Sequence, residues 1–103
     1  YTVIAEGKGF ISKIIHVNPG QKLSVQSHNH RSEHWVVLTG TAKVVLEGKD
    51  SILSPGHSID IAVKEIHSLQ NPYDEDLEII EVQKGDILSE DDIIRYEDMY
   101  GRA

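Results

Sequence analysis

At 103 residues the chain reads as one domain, long enough for a single core without staples and too short for two. It holds no cysteine, which excludes disulfides, thiolate metal sites and cysteine nucleophiles and suits a reducing cytoplasm, the expected compartment. The formal net charge of -7, from 10 basic and 17 acidic residues, argues against a nucleic-acid backbone as partner.

Residues 1–8 carry little pattern and are predicted to form a leading arm. Tyr1 in place of Met suggests a trimmed chain or a segment cut from something longer. No basic start leads into an apolar stretch, and no apolar run approaches the roughly 20 residues that span a bilayer, so neither a secretory signal nor a membrane segment is predicted. Phe10 to Val17 reads as a strand, closed by the turn signal Asn18-Pro19-Gly20. Gln21 to His30 follows, with Leu23 and Val25 opposite the row of Ser24, Gln26 and His28. After a polar break at Arg31-Ser32 the chain is extended again from Glu33 to Leu38, with Glu33, Trp35 and Val37 on one face and His34, Val36 and Leu38 on the other. Further strands are predicted at Ala42–Leu46, Ser51–Leu53, Ser58–Ile61, Ile66–Gln70 and Leu77–Gln83, separated by turn-rich stretches.

All 3 prolines fall in predicted turns, as strand pairing requires. Short β-rich runs at regular spacing indicate an antiparallel sandwich or barrel over residues 9–83. The tail, 84–103, differs. Ser89-Glu90-Asp91-Asp92 has the character of a capping box ahead of Ile93-Ile94, which predicts a short helix or turn packed on the outside of the barrel. Its acids are expected to form a solvated face or a cap. Bare sheet edges are costly, so a homodimer is expected.

The chemistry concentrates between Gln26 and Gly40, in QSHNHRSEHWVVLTG. On a strand, Gln26, His28 and His30 project to one face at intervals of roughly 6.6 Å. If the next strand folds back, Glu33 meets that row, and imidazoles with a carboxylate bind a divalent metal at about 2.0–2.2 Å per ligand. His67, on a distant strand, is the candidate for a further ligand. Singly, each of these histidines is more often a surface or packed residue. The spacing of the set is what favours a metal site. His16 and His57 have no partner in the pattern and read as structural, while His34 faces away from Glu33 and is expected behind the site or at an interface.

Residues 20–71 resemble the paired motifs of the cupin superfamily, small jelly-roll barrels with a metal inside. Gly20, His28, His30, Glu33 and Gly40 stand at the first motif's positions, and His67 and Asn71 at those of the second. Only two residues separate His30 from Glu33, fewer than is usual, and either Gln26 or His30 completes the ligand set. Ala62 and Lys64 replace the second motif's proline and glycine. More narrowly, QSHNHRSEHWVVLTGTAKV, HSLQNP, LEIIEVQKGDIL and SEDDIIRYEDMYGR together resemble the type II phosphomannose isomerases. In that family this cupin is the C-terminal domain of a bifunctional enzyme whose N-terminal partner is a nucleotidyltransferase that makes GDP-mannose.

The resemblance implies an all-β cupin domain that interconverts mannose 6-phosphate and fructose 6-phosphate. It implies a divalent metal, zinc first and Mn, Fe, Co or Ni next, held by His28, His30 or Gln26, Glu33 and His67. Arg31 corresponds to a catalytic or substrate-binding arginine, and its planar fork suits a phosphate or an enediolate oxygen. Lys64 is a second candidate for phosphate contact or proton transfer. Trp35 is expected to wall the cavity, with sugar stacking as a further role. Two other readings stand beside this one: a module that binds a sugar phosphate or sugar nucleotide without chemistry, and an unrelated cupin enzyme such as an Fe(II) dioxygenase.

Overall fold

The computed structural model describes residues 1–96; Glu97 and Asp98, with the rest of the chain's ending, lie outside the described residues. The described residues form β1 (Thr2–Gly7), β2 (Phe10–Val17), β3 (Gln26–Ser27), β4 (Arg31–Thr39), β5 (Ala42–Leu46), β6 (Lys49–Leu53), β7 (Ser58–Ile61), β8 (His67–Gln70), β9 (Leu77–Gly85) and β10 (Ile94–Arg95). They make two five-stranded sheets, in the orders β1-β2-β9-β4-β7 and β10-β3-β8-β5-β6. Every strand pairing is antiparallel. No helix among the described residues is long and apolar enough to cross a membrane.

What positions the site is a change of side-chain character along the inward rows. Period-2 alternation sends Glu33, Trp35 and Val37 of β4 inward, and Glu81, Ile79 and Leu77 of β9. Register sets Glu33 across from Gln83, Trp35 across from Glu81 and Val37 across from Ile79. The neighbouring β2 repeats the change, with Lys13 opposite Glu81, Ile15 opposite Ile79 and Val17 opposite Leu77. On the facing sheet, His67 pairs with Gln26 and Leu46, and Leu69 with Val44. One end of the barrel is therefore apolar, built from Val17, Val37, Ala42, Val44, Leu69, Leu77 and Ile79. Burying each Val, Leu or Ile of this set contributes roughly 1.5–3 kcal/mol, which lets this end hold the sheets together while the other end carries polar groups.

Three expectations are corrected. The leading arm is a strand: β1 pairs with β2 through a turn at Lys8-Gly9, and because all its residues are exposed it carries no burial period to read. The break falls at Asn29-His30 rather than Arg31-Ser32, so Arg31 opens β4 on the same inward row as Glu33. The tail makes the turn that was one of its two expected forms, but it joins the facing sheet and lines the cavity instead of packing on the outside of the barrel. Ser89 Oγ accepts the Asp91 N–H at 3.1 Å and Ser89 C=O the Asp92 N–H at 3.1 Å, after which Ile94 and Arg95 pair with β3.

Gly40 closes the turn after β4 at φ +81°, where a Cβ would lie 2.3 Å from the Asp76 carbonyl oxygen. Gly40→Ala combines a left-handed backbone penalty with a backbone clash, and should cost at least about 2 kcal/mol. Urea denaturation checks this: a midpoint equal to the parent's contradicts the tight approach of this turn to β9.

Candidate metal centre

At the polar end His28, Glu33 and His67 bring one ligand atom each within 4.8 Å of one another. All three are buried, at 3%, 4% and 2% exposure. His28 Nε2 lies 3.3 Å from Glu33 Oε2, and His67 Nε2 lies 3.9 Å from Glu33 Oε1. Each ring is held from behind by a carbonyl: His28 Nδ1 donates to Asp92 C=O at 2.6 Å and His67 Nδ1 to Glu65 C=O at 2.9 Å. A carbonyl oxygen only accepts, so both rings carry their proton on Nδ1 and turn a bare Nε2 toward Glu33. Metal-binding histidines are typically supported in this way. Two imidazole lone pairs and a carboxylate fit a divalent cation, and zinc among others.

Arg31 completes the charge balance. Its Nε donates to Glu33 Oε2 at 2.9 Å and its Nη2 to His28 Nε2 at 3.3 Å. The guanidinium thus lies on the one His28 lone pair that a metal would take, and would have to give it up for a cation to be held there. Its place at the start of β4 depends on Gly85 across the sheet, where a Cβ would meet the His30 carbonyl oxygen at 2.1 Å. Trp35 Nε1–H is shared between Glu33 Oε1 at 3.0 Å and Glu81 Oε2 at 3.2 Å, and Gln83 Nε2 donates to Glu81 Oε1 at 2.7 Å. The indole stands edge-on to His67, with ring centroids 5.6 Å apart.

The donor set opens on a cavity of about 260 Å³ whose walls include Lys13, Gln26, Arg31, Trp35, Ser68 and Arg95. Gln26 is in the wall, with its amide nitrogen donating to Ser24 Oγ at 3.2 Å. Two candidates are elsewhere. His30 is exposed in the Asn29-His30 bend, outside the converging set, because the bend breaks the strand period that would have turned it inward. Lys64 is exposed at φ +71° in a turn and is absent from the cavity wall; its backbone N–H donates to His28 C=O at 2.7 Å. His34 pairs with Asp60 on the outer face. Asn71 is a structural residue, its buried amide donating to Val17 C=O at 3.0 Å and Glu75 C=O at 2.7 Å.

Glu81, Gln83, Lys13 and Asp92 were not singled out from the sequence. The first two had a signal: the inward row of LEIIEVQ turns from Leu77 and Ile79 to Glu81 and Gln83, polar side chains on a buried face.

The chain's fold and internal His–Glu–His set define a cupin-type double-stranded β-helix. The chain belongs to the family described as mannose-6-phosphate isomerase C-terminal, whose model matches residues 1–98. It is 47% identical over its whole length to mannose-1-phosphate guanylyltransferase ManC of Salmonella typhimurium, and spans 22% of that protein. It is 48% identical, again over its whole length, to alginate biosynthesis protein AlgA of Pseudomonas aeruginosa, and spans 21% of it. The chain therefore covers about a fifth of these curated relatives. Among solved structures, an uncharacterised double-stranded β-helix protein from Klebsiella pneumoniae superposes with a TM-score of 0.80 at 21% identity, covering 92% of this chain and 76% of that one. That likeness shows the fold.

Burial lowers the pKa of both site histidines, His67 to about 4, and raises that of Glu81 to about 7, where the Glu33 carboxylate adds to the effect. The unfolded chain binds a proton at His67 from pH 6.5 downward that the folded, metal-free chain refuses until about 4. His67 thus makes stability fall as pH drops through that window, by up to about 3 kcal/mol. Glu81 acts in the opposite sense: the folded chain keeps a proton that the unfolded one has lost, so stability falls as pH rises from 4.5 to about 7. Denaturation of metal-stripped protein across this range should show His67→Asn relieved of the acid-side loss and Glu81→Gln relieved of the opposing slope. Profiles parallel to the parent's in both variants contradict the assignment.

Proposed function

We propose that this domain is a metal-dependent sugar-phosphate isomerase that interconverts mannose 6-phosphate and fructose 6-phosphate. The observation that carries the reading is the buried His28–Glu33–His67 set opening on a cavity that also holds Lys13, Arg31 and Arg95. Family membership points to the same chemistry. The reaction moves a proton between C2 and C1 through an enediol. A divalent cation, zinc first and Mn, Fe, Co or Ni next, would supply a Lewis acid for the sugar's carbonyl and hydroxyl oxygens, contributing several kcal/mol.

The rest of the work falls to the chain's own side chains. His28, Glu33 and His67 hold the cation, and Gln26, directly across from His67, is the fourth protein donor. Arg31, freed from Glu33, offers its planar fork to substrate oxygens, and Lys13 and Arg95 balance the phosphate. Ser68, in the cavity wall, has a buried Oγ with no hydrogen-bond partner among the described residues, which suits a hydroxyl-bearing ligand. Glu81 is assigned the proton transfer on position, as a carboxylate in the cavity wall that is not part of the donor set. Trp35 orients Glu33 and Glu81 rather than serving as a stacking platform, and no role remains for Lys64. In the parent protein the domain would follow a mannose-1-phosphate guanylyltransferase and supply its pathway in the cytoplasm, as a homodimer.

A second reading has its own support. Lys13, Arg31 and Arg95 together in the cavity wall suit an anionic sugar phosphate whether or not it is turned over. One assay separates the two: the purified chain, metal-stripped and reloaded, is incubated with mannose 6-phosphate while fructose 6-phosphate is followed. The isomerase reading predicts metal-dependent turnover that His67→Ala and Arg31→Ala abolish. Glu81→Gln should lower kcat by about 10²–10⁴ while leaving metal uptake intact. A metal-loaded chain that binds mannose 6-phosphate without converting it contradicts the isomerase reading and supports the module.

A further inference from the structure

The segment after β9 returns across the polar end of the barrel and is pinned beside the first motif. Ile94 and Arg95 pair with Ser27 and Gln26. Tyr96 N–H donates to Val25 C=O at 2.8 Å, and the Tyr96 and Ser27 hydroxyls are 2.9 Å apart. Asp92, 9% exposed, then binds three consecutive residues of the site's bend. Its carboxylate accepts the Asn29 N–H at 2.8 Å and the His30 N–H at 2.9 Å, and its carbonyl accepts His28 Nδ1–H at 2.6 Å. Asn29 and His30 are both exposed, so the bend has no apolar anchor of its own; these bonds hold it on one side, with the Lys64 N–H to His28 C=O bond and the close approach to Gly85 on the other.

We propose that Asp92 is a positioning residue for the metal centre. Its carboxylate locks the bend and its carbonyl fixes the His28 ring, so that Nε2 stands bare toward Glu33. The inference rests on the metal reading given above and adds that the tail completes the site. His67 provides an internal contrast: its Nδ1–H goes to Glu65, two residues away on its own strand's approach, and owes nothing to the tail. A loss of the Asp92 clasp should therefore disturb one imidazole and spare the other. Outer partners of this kind are worth about 10–100-fold in metal affinity.

The test uses Asp92→Ala and the milder Asp92→Asn, which keeps one acceptor oxygen. Zinc affinity is measured by competition with a chromophoric chelator, and ring tautomers of the metal-free protein by long-range proton–nitrogen NMR. The clasp predicts a zinc affinity about 10–100-fold weaker in Asp92→Ala, with partial recovery in Asp92→Asn. It also predicts His28 leaving its Nδ1–H tautomer while His67 keeps its own. Should Asp92→Ala fail to fold, Asp92→Asn carries the same comparison at smaller amplitude. An unchanged His28 tautomer with unchanged zinc affinity overturns the proposal, and so does a loss of both tautomers together, which would mark a general loosening. If the parent takes up neither zinc nor Mn, Fe, Co or Ni, the metal reading falls, while the NMR comparison still decides whether Asp92 sets the His28 ring.

Discussion

A carboxylate taken out of water must be compensated where it stands, and the polar end of this barrel is arranged around one such group, Glu33. Its oxygens lie 2.9 Å from Arg31 Nε, 3.0 Å from Trp35 Nε1, and 3.3 and 3.9 Å from the Nε2 atoms of His28 and His67. Each neighbour is delivered by a different feature. Arg31 and Trp35 come two residues either side on β4, His67 comes from the facing sheet, and His28 from a bend fixed by the tail. Arg31 supplies a full positive charge among these neighbours, while burial works against charging either imidazole. The group that makes the site costly to build is also the one that attracts a cation to it.

The barrel's plan was largely legible, and for a physical reason: its strands are half-buried and its turns need glycine or proline. Phe10–Val17, Ala42–Leu46 and Ser58–Ile61 are found at the bounds read from the sequence. The alternation of Glu33, Trp35 and Val37 against His34, Val36 and Leu38 gave the inward row directly. Illegible features depend on partners far away in the chain. His30 sits at the expected spacing for a ligand, yet the bend at Asn29-His30 is set by Asp92 and by close approach to Gly85, neither of which a local pattern contains. Lys64 looked available because it is a cation near His67, but a turn with a left-handed backbone carries it away from the cavity. Lys13 shares its inward row with Ile15 and Val17, and Glu81 follows Leu77 and Ile79 on its own; a polar residue on such a row is the signal that would have found them.

The tail changes most between sequence and structure. As an acidic stretch with a capping-box pattern it reads as a solvated cover. In the folded chain one of its acids is buried and one of its strand residues lines the cavity. Closing the barrel's polar end in this way lets a small domain build a site that no pair of adjacent strands could complete. It also brings Arg95 to the same cavity as His28, Glu33 and His67, in a chain that spans only about a fifth of its curated relatives.

The most direct measurement is a crystal structure of the zinc-loaded chain, with anomalous data collected on both sides of the zinc edge. A metal centre here should give one strong anomalous peak bonded to Nε2 of His28, Nε2 of His67 and a carboxylate oxygen of Glu33, at about 2.0–2.2 Å, with Arg31 turned away from those atoms. A cavity without an anomalous peak, or zinc held instead by His34 and Asp60 on the outer face while Arg31 stays bonded to Glu33, would contradict it.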